Sequence, residues 1–416
     1  MSRASHFHLA VQLLSAVLRS DAAADKQMES FFRSHREMGA RDRGVVAEMV
    51  YACLRRRRLL EAAAGSGRPA DLLAAHLLQQ GLSGRALAEA GYVGDASALA
   101  ERVRTLDRAQ LPLAVAANLP DWLAERLVAL LGVEETLALA EAFNNPAPVD
   151  LRVNTFKANR DEVQASLAAE GFETVPTPYS PLGLRRTDRS PLFKTRAFTA
   201  GSFEVQDEGS QLVSLLVEAK RRESVVDFCA GAGGKTLHLG AAMANTGTLY
   251  ALDNAEWRLE KIKPRLKRSG LQNVRTIAIR DEHDARVRRL AGKMDRVLVD
   301  APCSGSGTLR RNPDIKWRTI ELERINASQL SILSAASTLV KRGGRLVYAT
   351  CSVLREENED VVGHFLADHP EFAVVPVNGI LARRDVALRM DGPYLRLYPH
   401  IHNTDGFFAA VLERGS

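Results

Sequence analysis

Two kinds of hydrophobic pattern divide the chain. From the start to about residue 118, apolar residues recur three and four apart. Val11, Leu14, Val17 and Leu18 form one stripe, and Val46, Met49, Val50 and Cys53 form another. That is the spacing of amphipathic helices, and it predicts an all-helical module over 1–118. Leu119-Pro120-Asp121-Trp122 opens a further helix, which the run Asn144-Asn145-Pro146-Ala147-Pro148 breaks. A strand over 149–153, a helix over 161–169 and a strand over 172–175 come next. They predict a small α+β module within 119–204, with Arg152 and Asn154 near its edge.

Beyond residue 205 the pattern changes. Short apolar runs at 225–228, 248–252, 274–279, 295–299 and 345–349 alternate with helical stretches near 235–244, 256–269 and 321–341. This alternation predicts an α/β fold over 205–416, a Rossmann-type doubly wound and mostly parallel sheet. Such sheets bind ligands at the carboxyl ends of their strands. The first strand end is VVDFCAGAGGKT, 225–236, where Gly231, Gly233 and Gly234 let the backbone turn tightly against a ligand before a helix begins near Lys235. A phosphate loop, a dinucleotide fingerprint and the first loop of an S-adenosylmethionine methyltransferase all share that shape. The phosphate loop requires glycine five residues before Gly234-Lys235-Thr236, where this chain has Cys229.

The other strand ends carry reactive groups. Asp253 closes the second run, where a carboxylate can accept hydrogen bonds from ribose hydroxyls. Asp281 follows the third run, and Asp300 ends the fourth, just before Ala301-Pro302-Cys303-Ser304-Gly305-Ser306-Gly307. The fifth run ends in Thr350-Cys351-Ser352. One such aspartate alone reads equally as a helix cap, and one such cysteine as packing. Together the three acids line one edge, and if the fourth and fifth strands are neighbours, Cys303 and Cys351 converge on the same crevice.

Charge narrows the partner. A net charge of +6 and a pI near 9.2 over 416 residues favour a polyanion. The cluster Arg55-Arg56-Arg57-Arg58 at the end of a predicted helix reads either as an RNA contact or as a solvated helix end. The four cysteines lack paired C-x-x-C spacing, which suggests neither a disulfide framework nor a zinc site and fits a reducing cytoplasm. Cys53 falls on an apolar stripe and reads as a buried thiol. No segment has the apolar length to span a bilayer, and the patch from Leu9 to Leu18 continues as an amphipathic helix. A cytoplasmic monomer without metal or membrane contact is expected.

These motifs resemble those of the Sun/RsmB-like family of RNA 5-methylcytosine methyltransferases. DFCAGAGGKT resembles the family's first motif, DAPCSGSG its fourth and ATCS its sixth, while Asp405-Gly406-Phe407-Phe408 resembles its closing motif. SFEVQDEGSQL matches the entry to the catalytic domain, and DRGVVAEMVYACLRR resembles the NusB-like helical domain of the bacterial branch. The commonest family form has Ala-Pro where this chain has Gly231-Ala232. The resemblance implies S-adenosylmethionine held by Cys229, Ala230, Gly231, Ala232, Gly233, Gly234, Lys235, Asp253, Asp281 and Asp300, with Asp300 near the cytosine as well. It also implies RNA as partner, with 16S ribosomal RNA the expected substrate. By the same resemblance Cys351 is the nucleophile and Cys303 assists product release, whereas in DNA-modifying relatives the proline-cysteine motif supplies the nucleophile. Spacing alone leaves the two roles open.

The chemistry asks for such a thiol, because cytosine C5 is too poor a nucleophile to take a methyl group unaided. A thiolate adding to C6 makes C5 nucleophilic. C5 then takes the methyl group, and loss of the C5 proton expels the thiolate. The base must be exposed from its stack for this to occur. A non-catalytic RNA-binding factor on the same fold would be expected to lack one of the cysteines or cofactor acids, and this chain has them all.

Overall fold

The computed structural model describes residues 2–20, 22–187 and 192–415. The chain forms two compact units, Met1–Pro146 with Thr308–Thr319, and Ala147–Gly307 with Ile320–Ser416.

The first unit is helical. Helices Arg3–Leu18, Ala40–Arg55 and Pro69–Gln79 pack around Leu13, Leu14, Val46, Val50, Cys53, Leu72 and Leu73, all buried. Both predicted stripes therefore face this core, with Val11, Leu18 and Met49 at its margin. Burial pushes the Cys53 thiol pKa well up, so it serves as an apolar core group. Helices Asp121–Leu131 and Val133–Phe143 belong to the same unit.

The arginine cluster is not a free, solvated helix end, because each guanidinium is engaged within the unit. Arg55 is buried and donates to Glu48 at 3.0 Å. Arg57 donates to Glu61 at 2.8 Å and lies over the Trp317 ring at 5.3 Å. Arg58 donates to the Leu119 carbonyl at 2.9 Å and to Asp121 at 2.6 Å, and Arg56 faces Glu141 at 3.7 Å. These guanidiniums bind the unit together. Arg58→Ala is expected to lower its stability in urea melts by about 1 kcal/mol, the worth of an ordinary internal hydrogen bond, and to leave the salt dependence of RNA binding unchanged.

The segment Thr308–Thr319 joins this unit through side chains that reach far in sequence. Trp317 Nε1 donates to the Leu54 carbonyl at 2.8 Å. Lys316 Nζ donates to the Arg55 carbonyl at 3.1 Å and to Asn144 Oδ1 at 3.0 Å. Asp314 accepts from the Ala24 amide at 3.1 Å, serving the start of helix Ala24–Ser34, where the N-cap residue Ala23 has no side-chain oxygen to offer.

The second unit holds two sheets. The smaller contains β1 (Asp150–Val153), β2 (Thr174–Pro176), β3 (Gly183–Arg186) and β4 (Phe203–Val205), in the antiparallel order β2-β3-β1-β4. Helix Arg160–Ala168, opened by an Asn159/Glu162 capping box, accompanies it. Because β1 is flanked on both sides, Arg152 and Asn154 are buried, contrary to the edge placement expected from the sequence.

The larger sheet contains β5 (Ser224–Asp227), β6 (Thr248–Asp253), β7 (Val274–Ala278), β8 (Met294–Asp300), β9 (Val340–Thr350), β10 (Phe372–Val374), β11 (Leu395–Leu397) and β12 (Phe407–Arg414). Its order is β10-β12-β9-β8-β5-β6-β7, with β11 paired to β12. Strands β5 to β9 are parallel, as the sequence pattern predicts, while β10 to β12 add an antiparallel extension. Alternate residues feed two cores. Val226, Val297, Val299, Leu346 and Tyr348 meet helices Leu322–Ser337 and Glu359–Asp368, while Val225, Leu249, Leu298 and Val347 meet helices Glu208–Leu216 and Gly234–Ala242. Coverage on both faces explains why these strands read as continuous apolar runs. The strand order reverses between β5 and β8, which opens a crevice at their carboxyl ends. Among the described residues no helix is long and apolar enough to cross a membrane.

Candidate active site

At that crevice lies a cavity of about 550 Å³. Its wall includes Cys229, Ala230, Gly231, Ala232, Gly234 and Lys235 from the turn after β5, then Asp253, Asp281 and Asp300, and both Cys303 and Cys351. Of the cofactor and catalytic residues implied by the sequence, only Gly233 is absent from the lining. It stands behind the turn against Ile262, where a Cβ would come within 2.9 Å of that side chain.

The turn is held open by hydrogen bonds. Gly231 has φ +54°, and a Cβ there would meet nothing within 4 Å, so the backbone offers a bare cradle. Asp253 is buried at the end of β6 and accepts from the Gly231 amide and from the Ala255 amide, each at 2.8 Å. A carboxylate retains further lone pairs for a ligand hydroxyl. Asp281 accepts from the His283 amide and Arg280 Nε, both at 3.0 Å, and the Arg280 contact holds its pKa below the usual carboxylate value.

Lys235 donates to Asp300 at 2.6 Å and lies 5.3 Å over the Phe407 ring. Burial alone would pull its pKa down, but the Asp300 charge and hydrogen bond outweigh this and the net shift is upward, so the ammonium stays charged. Behind the turn, burial pushes the Asp227 carboxyl up to about 7, with Thr236 Oγ1 donating to one of its oxygens at 2.7 Å. Burial, aided by the Asp300, Asp227 and Asp253 charges, likewise raises Cys229 well above an ordinary thiol. Cys229 therefore lines the cavity as a neutral group.

The two remaining thiols meet. Strands β8 and β9 are parallel neighbours with Asp300 opposite Ala349, and the Ala301 amide donates to the Ala349 carbonyl at 2.8 Å. This register carries Cys303 and Cys351 to the same point, with sulfurs 3.3 Å apart and both cysteines free. The hydrogen bond to Cys351 is the main reason the Cys303 pKa lies well above normal, and burial adds to it. Cys303 is thus held in its protonated form, in hydrogen-bond contact with Cys351. The closing motif completes this corner: the Gly406 amide donates to the Gly307 carbonyl at 2.8 Å, and a Cβ on Gly307 would sit 2.2 Å from the Gly406 oxygen.

Comparison with known proteins gives the chain its family. A family model for 16S rRNA methyltransferase RsmB/F matches residues 214–413, and a model for the RsmF/B-like ferredoxin-like domain matches 119–191. The probable ribosomal RNA small subunit methyltransferase B of Synechocystis sp. is 35% identical over 312 residues, spanning 74% of this chain and 70% of that protein. The chain belongs to the RsmB/F methyltransferase family. The human 28S rRNA (cytosine(4447)-C(5))-methyltransferase is 33% identical over 76% of this chain and 40% of that protein. A methyltransferase homolog protein from Pyrococcus horikoshii, solved by crystallography, is 29% identical with a TM-score of 0.63, spanning 75% of this chain and 100% of that one. The family is S-adenosylmethionine-dependent, and the Synechocystis and human relatives are named as ribosomal RNA methyltransferases.

Three arginines outside the site implied by the sequence also touch the turn or its cavity: Arg258 and Arg265, and Arg152, which the sequence placed only at a sheet edge. Arg152 Nη1 donates to Gln206 at 2.5 Å and to the Gly234 carbonyl at 2.6 Å, tying the small sheet to the glycine turn. Burial pushes its pKa down to about 9. Arg265 donates to the Ala232 carbonyl at 2.5 Å and is paired with Glu204 of β4 at 3.0 Å. Arg258, five residues after Asp253, lines the cavity. Its place one helical turn beyond a strand-end acid was the available signal.

Proposed function

We propose that this chain methylates C5 of a cytosine in 16S ribosomal RNA through a covalent bond between Cys351 and cytosine C6. The observation that carries this reading is the meeting of the two sulfurs at 3.3 Å on the wall of the cavity that also holds the glycine turn and the three aspartates. A protonated Cys303 in hydrogen-bond contact with Cys351 is the arrangement expected when Cys351 reacts as thiolate and Cys303 acts later.

The cavity fits S-adenosylmethionine. Its volume is in the range of cofactor sites. The bare Gly231 cradle admits close approach, and an acid-rich wall suits a cationic molecule that also carries ribose hydroxyls. When bound, the cofactor supplies an electrophilic methyl group. Cys229 to Lys235, Asp253, Asp281 and Asp300 would hold it, with Asp300 oriented by Lys235 and placed to reach the cytosine.

Asp253→Ala is expected to weaken S-adenosylmethionine binding by roughly 1.5–3 kcal/mol, because ribose hydroxyls lose a charged acceptor. The Gly231 amide loses its partner in the same variant. Unchanged affinity in calorimetric titration would remove Asp253 from the site. The substrate is tested by bisulfite mapping of ribosomal RNA from cells lacking the gene. Loss of one 16S methylcytosine is expected. A loss confined to large-subunit RNA would transfer the assignment to that RNA, and no loss in either would refute ribosomal RNA as substrate.

A further inference from the structure

We propose that Glu357 is a positioning residue that sets the spacing of the two sulfurs by binding both cysteine loops through one buried carboxylate. Ser304 directly follows Cys303, and Ser352 directly follows Cys351. Glu357 has no exposed surface. Its Oε2 accepts from the Ser304 amide at 2.7 Å and from Gln329 Nε2 at 3.1 Å. Its Oε1 accepts from the Ser352 hydroxyl at 2.6 Å and from the Ser304 hydroxyl. Gln329 also donates to the Pro302 carbonyl at 3.0 Å, so the residues on both sides of Cys303 are tied to this centre. The Glu357 backbone is fixed in turn, its carbonyl accepting from the Tyr348 hydroxyl at 2.6 Å.

The geometry requires an acceptor at Oε2, since amide N–H groups can only donate, whereas the two hydroxyls at Oε1 can reverse their roles. An apolar residue at 357 would remove the shared acceptor of four buried polar groups and let the two loops move apart. Glutamine can satisfy all four, with its oxygen toward the amides and its NH₂ toward the hydroxyls. Side-chain volume at 357 thus matters less than an acceptor in that one position. Gln329, Ser304 and Ser352 are the other parts of the device.

The inference rests on the proposed roles of Cys303 and Cys351, but its main readout does not. In the full-length protein the oxidant diamide takes the two thiol hydrogens as a Cys303–Cys351 disulfide closes, and the rate of closure reports sulfur geometry whether or not either thiol is catalytic. Glu357→Ala is expected to slow closure at least tenfold. It should also lower kcat on transcribed 16S rRNA at least tenfold, with KM for S-adenosylmethionine within twofold of wild type. Glu357→Gln should restore closure to within threefold. Wild-type closure in Glu357→Ala, a glutamine variant as defective as alanine, or a KM that worsens in step with kcat would each overturn the proposal. If Glu357→Ala does not fold, Ser352→Ala decides, because it removes one link and leaves Glu357 three donors. Closure slowed threefold or more at unchanged cofactor affinity supports the proposal, and unchanged closure overturns it.

Discussion

Cys351→Ala should abolish methyl transfer and every covalent link to RNA, since no thiolate then remains to add to C6. Cys303→Ala should fail differently: Cys351 can still attack, C5 can still be methylated, and the adduct then persists. The sulfur contact suits the proposed division of labour. While Cys351 is free, its hydrogen bond first and burial next hold the proton on Cys303. Adduct formation ties up the Cys351 electron pair, so Cys303 can lose its proton to solvent and take the C5 proton that must leave before elimination. Removing such a proton-transfer group lowers turnover on the order of 10²–10⁴-fold. The Cys303→Ala protein should therefore accumulate an RNA adduct that survives denaturing electrophoresis and depends on S-adenosylmethionine, and the double variant should form none. A stable adduct in Cys351→Ala would exchange the roles, and full activity in Cys351→Ala would refute the mechanism.

The meeting of these thiols was legible in the sequence because it depends on two features that local pattern records: apolar runs that end at Asp300 and Thr350, and a parallel topology that makes those runs neighbours. What long-range partners decide was not legible. Arg58 reads as a basic helix end until Asp121, 63 residues away, is seen to accept from it. Arg152 reads as a sheet-edge cation until its bond to the Gly234 carbonyl, 82 residues away, is known. A periodicity of two or four residues carries no signal about either. Strands β10 and β11 are three residues long, too short to establish an alternation, and they exist because β12 offers them a partner. Glu357 sits in the polar run Arg355-Glu356-Glu357-Asn358-Glu359-Asp360, whose composition carries no sign that one carboxylate is fully buried. Only the return of Ser304 beside Ser352 turns one of those carboxylates inward.

Lys316 gives the helical unit an expected pH dependence of unusual sign. Its ammonium is buried, and its hydrogen bonds go to two uncharged oxygens, the Arg55 carbonyl and Asn144 Oδ1. Burial first, and the Arg55 and Arg56 charges next, push its pKa down to about 7, with Glu141 opposing. An unfolded lysine titrates near 10.4, so between these values the unfolded chain binds the extra proton and stability must rise with pH, by up to about 1.4 kcal/mol per pH unit. The contribution is greatest above the unfolded pKa and is lost as pH falls through 7. Over the whole window it amounts to roughly 5 kcal/mol, from about 3.4 pH units at 1.36 kcal/mol each. Cys53, Tyr51 and Tyr92 in the same unit have raised pKa values and act in the opposite direction at high pH, so the wild-type curve alone is a mixture. The comparison with Lys316→Met cancels them. Both proteins would carry Trp257→Phe, leaving Trp122 and Trp317 to report unfolding of this unit in urea. From pH 7 to 10, wild type should gain stability relative to the methionine variant, whatever their order at pH 7. Parallel curves would mean that Lys316 keeps an ordinary pKa in the folded chain.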